Sequence, residues 1–228
     1  MFRTEDQWLD RFDYMDAHWK HDGNIARPHA LLTSGLHSDE VFDCELVMED
    51  PIILSEAASD LVELLHRPGI NLEKIDRVVG PALGAITLVH EVARNITLRR
   101  DLKNPLTKHC LRAYVEKVSE GRVEMMALNR TNVQVSELVL VTDDVLTTSK
   151  STTLTSEAIA LAGAYVVPVF AVLVNRSGKT SIRGTPIIAL INKQSNVWTH
   201  EKCPLCPQGS EAIRPKGQGN WKRLNDVY

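Results

Sequence analysis

Several features that mark particular classes of protein are scarce in this 228-residue sequence. Cysteine occurs only four times, too few for the disulfide framework of a small secreted protein. Lysine and arginine (26 residues) do not exceed aspartate and glutamate (29), which gives neither a basic face for nucleic acid nor a polybasic membrane anchor. The N-terminus lacks the apolar run of a signal peptide. We therefore expect a cytoplasmic protein that binds neither nucleic acids nor membranes.

One apolar segment, residues 158–174, is long enough to raise the question of a membrane span. It contains Gly163 and Pro168, and it is shorter than the roughly 20 residues that cross a bilayer. We interpret it as the end of a buried helix that leads into a buried strand.

Length and periodicity predict a single α/β domain. A chain of 228 residues that is 43% hydrophobic can bury one good-sized core, or at most two small ones. Predicted helices alternate with predicted strands, which is typical of a parallel sheet with helices on both faces. The predicted helices cover residues up to about 22, 55–65, a segment after 84, and 151–162, with Gly163 as a cap. The predicted strands cover residues 77–80, 111–116, 123–128, 138–141 and 166–174. In such sheets ligands bind beyond the carboxyl ends of the strands.

The most informative stretch follows the predicted strand at 138–141. Two adjacent carboxylates, Asp143 and Asp144, precede a run of hydroxyl side chains at the start of a helix. Hydroxyls and free N–H groups at a helix start bind phosphate. Carboxylates repel phosphate, but they accept hydrogen bonds from sugar hydroxyls or hold a divalent cation through water. A ribose 5-phosphate fits both requirements. The simpler alternative is an acidic turn whose Thr and Ser side chains only cap the helix.

Residues 141–151 resemble the phosphoribosyl pyrophosphate signature of type I phosphoribosyltransferases, in which two acidic residues and an apolar pair precede Thr-Thr-Gly. Ser149 stands where that family usually has glycine, and a residue with a Cβ is strained wherever the backbone needs a positive φ. The resemblance implies that the signature binds phosphoribosyl pyrophosphate through Asp143, Asp144, Val145, Leu146, Thr147, Thr148, Ser149, Lys150 and Ser151.

Other segments are similar to orotate phosphoribosyltransferases in particular, and they occur in the same order along the chain. They are residues 32–38, the 79–86 loop that receives pyrophosphate, the 112–117 strand with Arg122 and Arg130, residues 172–178, and the tail at 203–206 and 215–217. Together with the signature, the resemblance covers about residues 30 to 217. The predicted flap differs from many members of the family, since it has neither a histidine nor an adjacent Arg-Lys pair.

The family resemblance implies further roles for single residues. The residues implied to bind the pyrophosphate part of the substrate are Arg112, Lys117, Pro81, Ala82, Leu83 and Gly84. Orotate binding falls to Thr147 and Arg176, because a planar guanidinium suits a carboxylate. Asp143, Asp144 and Lys117 are implied as catalytic, and Mg²⁺ as a cofactor that enters with the substrate. The resemblance also implies a homodimer with residues 51–194 as core, and about 1–50 and 195–228 as a hood and tail.

Histidine and cysteine leave a second possibility open. His200, Cys203 and Cys206 could supply three zinc ligands, with Cys44 or Cys110 as a distant fourth, but structural zinc sites usually have two close pairs. A single pair is common in proteins without metal. His29 and His37 lie near the Ser34-Gly35 turn, where histidines are more often structural than functional.

The sequence thus predicts transfer of a phosphoribosyl group to orotate, through an oxocarbenium-like state beneath a flap that excludes water. Three alternatives stay open. The acceptor could be another nucleobase, the protein could be a non-catalytic sensor of phosphoribosyl pyrophosphate, or it could be a nucleotide-binding domain of another use.

Overall fold

The computed structural model describes residues 2–67, 69–120, 123–217 and 219–228. Its helices are α1 (Glu5–Tyr14), α2 (Cys44–Met48), α3 (Pro51–His66), α4 (Ile86–Leu98), α5 (Lys150–Leu161) and α6 (Asn220–Asn225). Its strands are β1 (His18–Lys20), β2 (His29–Leu31), β3 (His37–Ser38), β4 (Glu40–Phe42), β5 (Arg77–Pro81), β6 (Leu111–Glu120), β7 (Val123–Ala127), β8 (Leu138–Leu146), β9 (Tyr165–Asn175), β10 (Ser181–Ile182), β11 (Thr185–Asn192), β12 (Val197–Trp198) and β13 (Ala212–Ile213).

The centre of the fold is a seven-stranded sheet in the order β10-β11-β9-β8-β5-β6-β7. The five inner strands are parallel, while β10 and β7 are each antiparallel to their neighbours. Val78 packs in a cluster with α3 and α4, and the next residue, Val79, packs in a cluster with α5. Because successive strand side chains point to opposite faces, helices cover both faces of the sheet. The predicted α/β architecture is confirmed.

The helix predicted over residues 55–65 is present as α3 and begins one turn earlier. Pro51 occupies the first turn, where its missing N–H costs nothing. The Asp50 side chain caps the helix by accepting hydrogen bonds from the N–H groups of Ile52 (2.8 Å) and Ile53 (3.2 Å). These two capping contacts set the start of the helix.

The N-terminal helix is shorter than predicted. It ends at Tyr14, and Asp16 then takes a positive φ of 51°, which is incompatible with a continuing helix. Trp8 and Phe12 pack in the core of the large sheet, but Trp19 lies in β1 and packs in a different cluster. The three-to-four-residue spacing of apolar residues therefore continued past the helix by coincidence, and the prediction up to residue 22 was wrong beyond Tyr14.

Strands from both ends of the chain form a smaller layer. β12, β3, β2 and β13 make a four-stranded sheet, and β1 pairs with β4. Trp19, Ala30, Val41, Ile213 and Leu224 form the small core of this layer. We call these six strands together with α6 the hood. In contrast, α1 packs against β11 of the large sheet.

The described part of the chain contains no helix that combines the length and the apolar character needed to cross a bilayer. Residues 158–174 divide instead between the end of α5 and most of β9. Gly163, with a φ of 78°, follows the helix as the predicted cap.

Candidate active site

Three strand ends and the loops that follow them meet at one edge of the large sheet. β5 ends at Pro81, β8 at Leu146 and β9 at Asn175, and β8 pairs in parallel with both of the others. The carboxyl ends of parallel neighbours necessarily lie side by side, and ligands bind there. The fold therefore brings together three segments that the sequence singled out: residues 81–84, residues 143–151 and Arg176.

Both aspartates lie within β8 and not in a turn after it. The strand was predicted to end at residue 141, but the ladder continues because Asp143 pairs with Val172 of β9. The apolar pattern stops at Val141, whereas backbone hydrogen bonding does not depend on side-chain polarity. The first clearly exposed residues come later, at Thr147 and Thr148.

Asp143 is almost fully buried, with 3% of its surface exposed. Its Oδ2 accepts a hydrogen bond from the Ser151 hydroxyl at 2.8 Å, and its Oδ1 accepts one from the backbone N–H of Asp144 at 3.0 Å. Burial, followed by the neighbouring Asp144 charge, raises the pKa of Asp143 well above its usual range. In this arrangement Asp143 ties β8 to the first turn of α5.

Asp144 is half-buried and its carboxylate faces the predicted pyrophosphate loop. A Cβ at Gly84 would lie only 3.0 Å from its Oδ2, so glycine at that position leaves room for the carboxylate. Its Oδ1 accepts a hydrogen bond from the N–H of Val145 at 2.8 Å. Asp144 is therefore the aspartate beside the 81–84 loop, and its side chain also lies close to that of Asp143.

The 81–84 loop connects β5 to α4. The N–H of Ala82 donates to the carbonyl of Val115 at 2.7 Å, the peptide bond between Ala82 and Leu83 is cis, and the Leu83 side chain is 85% exposed. The N–H of Ala82 is therefore already occupied within the protein. Pyrophosphate binding by Pro81, Ala82, Leu83 and Gly84 stays a prediction.

Ser149 occupies the left-handed region, with φ 63° and ψ 8°, immediately before α5. The backbone therefore does require the positive φ that the glycine of the family signature provides. The Ser149 side chain makes no capping hydrogen bond to the helix. The residue carries the strain of a Cβ in this region, of about 1 to 2 kcal/mol, without a compensating cap.

The hairpin of β6 and β7, which is the predicted flap, contacts the start of α5 through charged side chains. Glu124 of β7 accepts from Lys117 Nζ on β6 at 2.6 Å and also from Lys150 Nζ at the start of α5. These hydrogen bonds, Lys117 first, lower the pKa of Glu124 to about 2. Sequence reasoning missed Glu124, and the available signal was an acidic residue on the strand that the predicted hairpin places opposite the flap lysine. Arg122 lies outside the described residues.

Arg176 is buried and bound on several sides. Its Nε donates to Ser195 Oγ at 3.0 Å, and its Nη2 donates to Ser38 Oγ at 3.1 Å and to the carbonyl of Glu40. Burial lowers its pKa from the usual value. Arg176 therefore fastens the hood to the end of β9, at the place where the resemblance puts the base.

Arg112 lies apart from this group. It pairs in register with Val78, three residues before the end of β5, and its side chain is exposed. Ala113 and Val115 pack in the cluster with α5, so Arg112 points to the opposite face of the sheet. Its predicted contact with pyrophosphate stays a prediction.

The predicted zinc partners differ from those the structure brings together. The Cys44 thiol lies against the carbonyl of Asp144 at 3.9 Å, and the Cys110 thiol against the carbonyl of Leu111 at 3.8 Å. Neither belongs to the cluster around Cys203 and Cys206, which contains His29 and His37 instead.

Comparison with known proteins gives consistent results. The chain is 32% identical over 213 residues to the orotate phosphoribosyltransferase of Heliobacterium modesticaldum, covering 93% of this chain and 97% of that one. It is 32% identical over 221 residues to the orotate phosphoribosyltransferase of Campylobacter fetus, covering 91% and 97%. No protein family model matches the chain.

Solved structures share the fold. The crystal structure of orotate phosphoribosyltransferase from Aeropyrum pernix superposes with a TM-score of 0.56 at 22% identity, covering 80% of this chain and 91% of that one. An adenine phosphoribosyltransferase from Thermoanaerobacter pseudethanolicus superposes with a TM-score of 0.54 at 14% identity, covering 80% and 98%. The fold is that of the type I phosphoribosyltransferases. The names of the two solved structures specify different bases, orotate and adenine, so the fold is compatible with either.

We predict that Asp143→Asn stabilises the fold at neutral and alkaline pH. An acid whose pKa is raised on folding favours the folded state below its unfolded pKa of about 4, and loses that contribution as pH rises through the folded pKa. The stability advantage of the Asp143→Asn variant should therefore grow with pH. Urea unfolding between pH 4.5 and 8.5 measures it, with Asp226→Asn at the exposed C-terminus as the control. An advantage that shrinks with rising pH would contradict the buried-acid interpretation.

We predict that Ser149→Gly raises the free energy of unfolding by about 0.5 to 1 kcal/mol, because glycine relieves the positive φ and no cap is lost. Ser156→Gly, in the interior of α5, is the matched control and should lower stability by about 0.5 kcal/mol. Chemical denaturation of the three proteins measures both changes. Destabilisation by Ser149→Gly would mean that the hydroxyl contributes more than the strain costs.

Proposed function

Because the chain belongs to the orotate phosphoribosyltransferase family, we propose that it transfers the phosphoribosyl group of 5-phosphoribosyl 1-pyrophosphate to orotate. The products are orotidine 5′-phosphate and pyrophosphate, and the process served is pyrimidine nucleotide synthesis. One observation carries the assignment of the site: the Asp144 carboxylate lies against the 81–84 loop, while the neighbouring Asp143 is hydrogen-bonded to Ser151 in the first turn of α5. This supports a diol acceptor next to two segments that could bind anions.

The exposed hydroxyls and backbone N–H groups before α5 support the binding of the 5-phosphate. Thr147 and Thr148 are exposed, and the helix that follows has twelve residues whose dipole favours an anion at its start. In the proposal, the side chains of Val145 and Leu146 pack inward while their segment supplies backbone contacts. Ser151 links this seat to Asp143 through its 2.8 Å hydrogen bond.

Both aspartates are predicted to hold the ribose hydroxyls. In this proposal Asp144 accepts their hydrogen bonds most directly, because Asp143 is buried and already accepts a hydrogen bond from Ser151. During the reaction the bond from the anomeric carbon to the pyrophosphate oxygen breaks before the orotate nitrogen bonds fully, so positive charge develops on the sugar. A carboxylate beside the ribose stabilises that charge. Lys117 is the cation proposed to meet the departing pyrophosphate, and Lys150 belongs to the segment proposed to bind the 5-phosphate.

The proposed cofactor is Mg²⁺, carried on the oxygens of the substrate. No direct protein ligand is proposed, and the half-buried Asp144 carboxylate would contact the ion through water. When bound, Mg²⁺ offsets the charge of the leaving pyrophosphate.

Arg176 and Thr147 are the residues proposed to orient orotate. Arg176 lies at the end of β9, and its contact with Ser38 holds the hood over that end. A guanidinium already fixed by Ser195 and Ser38 is preorganised and loses little freedom when a carboxylate approaches.

We propose that the enzyme works as a homodimer in the cytoplasm. All four cysteines are free thiols, which fits a reducing compartment. The flap cation Lys117 is 57% exposed, which leaves it available to a site on a second copy. The family resemblance supports the same assembly.

The acceptor base is tested by incubating the protein with Mg²⁺, phosphoribosyl pyrophosphate and each nucleobase in turn, and measuring pyrophosphate. Release with orotate alone supports the proposal. Release with a purine would show that the protein is a phosphoribosyltransferase for another base. Tight binding of phosphoribosyl pyrophosphate without release would favour the sensor.

We predict that Asp144→Asn lowers kcat/KM for phosphoribosyl pyrophosphate about 100-fold or more, because it removes the charge beside the developing oxocarbenium. Circular dichroism should show an unchanged fold, since the side chain is half exposed. Asp226→Asn is again the matched control. Wild-type activity in Asp144→Asn would remove this carboxylate from the mechanism.

We predict that Glu124→Gln lowers KM for phosphoribosyl pyrophosphate about threefold to fivefold. Glu124 occupies the ammonium groups of Lys117 and Lys150, and an exposed ion pair is worth up to about 1 kcal/mol. Steady-state kinetics at low salt measure the change. Glu116→Gln, which removes a carboxylate paired with Arg130 on the same hairpin, is the control. An increase in KM for Glu124→Gln would show that the carboxylate positions the lysines productively.

A further inference from the structure

A cluster of two histidines and two cysteines lies in the hood, outside the site described above. One ligand atom from each of His29, His37, Cys203 and Cys206 lies within 4.8 Å of all the others. His29, His37 and Cys203 are buried, and Cys206 is half-buried. Buried polar side chains need hydrogen-bond or metal partners. The four side chains contact one another although 174 positions separate His29 from Cys203 and 169 separate His37 from Cys206.

The spacing of the cluster matches the coordination shell of a tetrahedral metal ion. Zinc binds imidazole nitrogen at about 2.0–2.1 Å and thiolate sulfur at about 2.3 Å, which in a tetrahedron separates N from S by about 3.5 Å. In the structure Cys203 Sγ and Cys206 Sγ both lie 3.5 Å from His29 Nε2, and Cys206 Sγ lies 3.3 Å from His37 Nδ1. The two histidine nitrogens are 2.7 Å apart, so this pair has to separate to admit an ion.

The hydrogen bonds around His29 set the tautomer that a metal requires. The Ser210 hydroxyl has a single hydrogen, which it donates to the carbonyl of Arg27 at 2.7 Å. Its oxygen must therefore accept the hydrogen of His29 Nδ1, 2.9 Å away. Nε2 is left with its lone pair, and its neighbours are His37 Nδ1 at 2.7 Å and the two sulfurs at 3.5 Å. Zinc-binding histidines are held by hydrogen bonds of this kind to the other ring nitrogen.

We propose that His29, His37, Cys203 and Cys206 bind one zinc ion that fastens the C-terminal tail to the N-terminal strands. Four protein ligands, three of them buried, make a closed shell, which is typical of a structural zinc site. Binding releases the protons of the two thiols to solvent, and their thiolates complete the shell. His200, whose Nδ1 lies 3.7 Å from Cys206 Sγ, stands next to this shell as a hydrogen-bonding neighbour.

The position of the ion links it to the base end of the site. His37 pairs with Trp198 of β12, and His29 lies on β2 beside β13. The ion would therefore connect the N-terminal strands β2 and β3 of the hood to the C-terminal tail. Ser38, the residue after His37, accepts the hydrogen bond from Arg176. If the proposed function holds, loss of the ion should raise KM for orotate more than KM for phosphoribosyl pyrophosphate. The zinc site itself does not depend on that function.

Metal content of the full-length protein tests the proposal. Protein purified from zinc-supplemented cells without chelator should contain about one zinc ion per chain by mass spectrometry. The double variant Cys203→Ser/Cys206→Ser should lose it, and its thermal midpoint should fall by several degrees. Cys110→Ala removes a buried thiol outside the cluster and should keep the metal.

Cobalt substitution keeps the test decisive if the double variant does not fold. Wild-type protein loaded with Co²⁺ should show the visible absorption of a tetrahedral ion and a thiolate charge-transfer band. Absence of bound zinc and of a thiolate band from added Co²⁺ would overturn the proposal. So would a Cys203–Cys206 disulfide in protein kept under reducing conditions, or metal content unchanged in the double variant. All of these measurements are independent of enzymatic activity.

Discussion

The site depends on how closely the turn after β5 approaches the end of β8. A Cβ at Gly80 would lie 2.5 Å from the carbonyl oxygen of Thr142, and one at Gly84 would lie 3.0 Å from the carboxylate of Asp144. The first distance leaves no room for a side chain, and the second is tight unless Asp144 shifts, so the two glycines allow the 81–84 loop and the acidic strand end to share one edge. The proposed binding of a sugar together with its two anionic groups depends on this close approach.

With these segments close together, the charges of neighbouring carboxylates have to be compensated. Asp143 and Asp144 are adjacent, and burial removes water from the first of them. Ser151 and a backbone N–H group accommodate that carboxyl group and tie the strand end to α5, whereas Asp144 is half-buried beside the 81–84 loop. At the start of α5, Glu124 pairs with the side chains of Lys117 and Lys150. Charged groups around the proposed site are thus paired within the protein.

The hood contributes a second kind of constraint, because it is built from both ends of the chain. Its core of Trp19, Ala30, Val41, Ile213 and Leu224 is small for a layer that has to stay in place over a site. Two polar contacts add to it: Arg176 ties the hood to β9, and the proposed zinc ion ties the tail to β2 and β3. Small layers with little apolar burial commonly rely on such cross-links.

The sequence alone determined the alternation of helices and strands and the acidic and hydroxyl-rich signature, because these follow from local periodicity and residue chemistry. The family resemblance marked Ser149 as a departure from glycine, and the structure decided that its φ is positive. It did not determine that β8 continues through Asp143 to Leu146, since a parallel partner and not side-chain polarity sustains a strand. Only the tertiary structure decided that Trp19 leaves the first helix for another core, that Glu124 bridges two lysines, and that His29 and His37 join Cys203 and Cys206. For Trp19 and for the histidine–cysteine cluster, the deciding contacts join segments far apart in the chain, and the sequence carries no signal of their proximity in space. Glu124 differs, because the predicted hairpin already placed its strand beside that of Lys117.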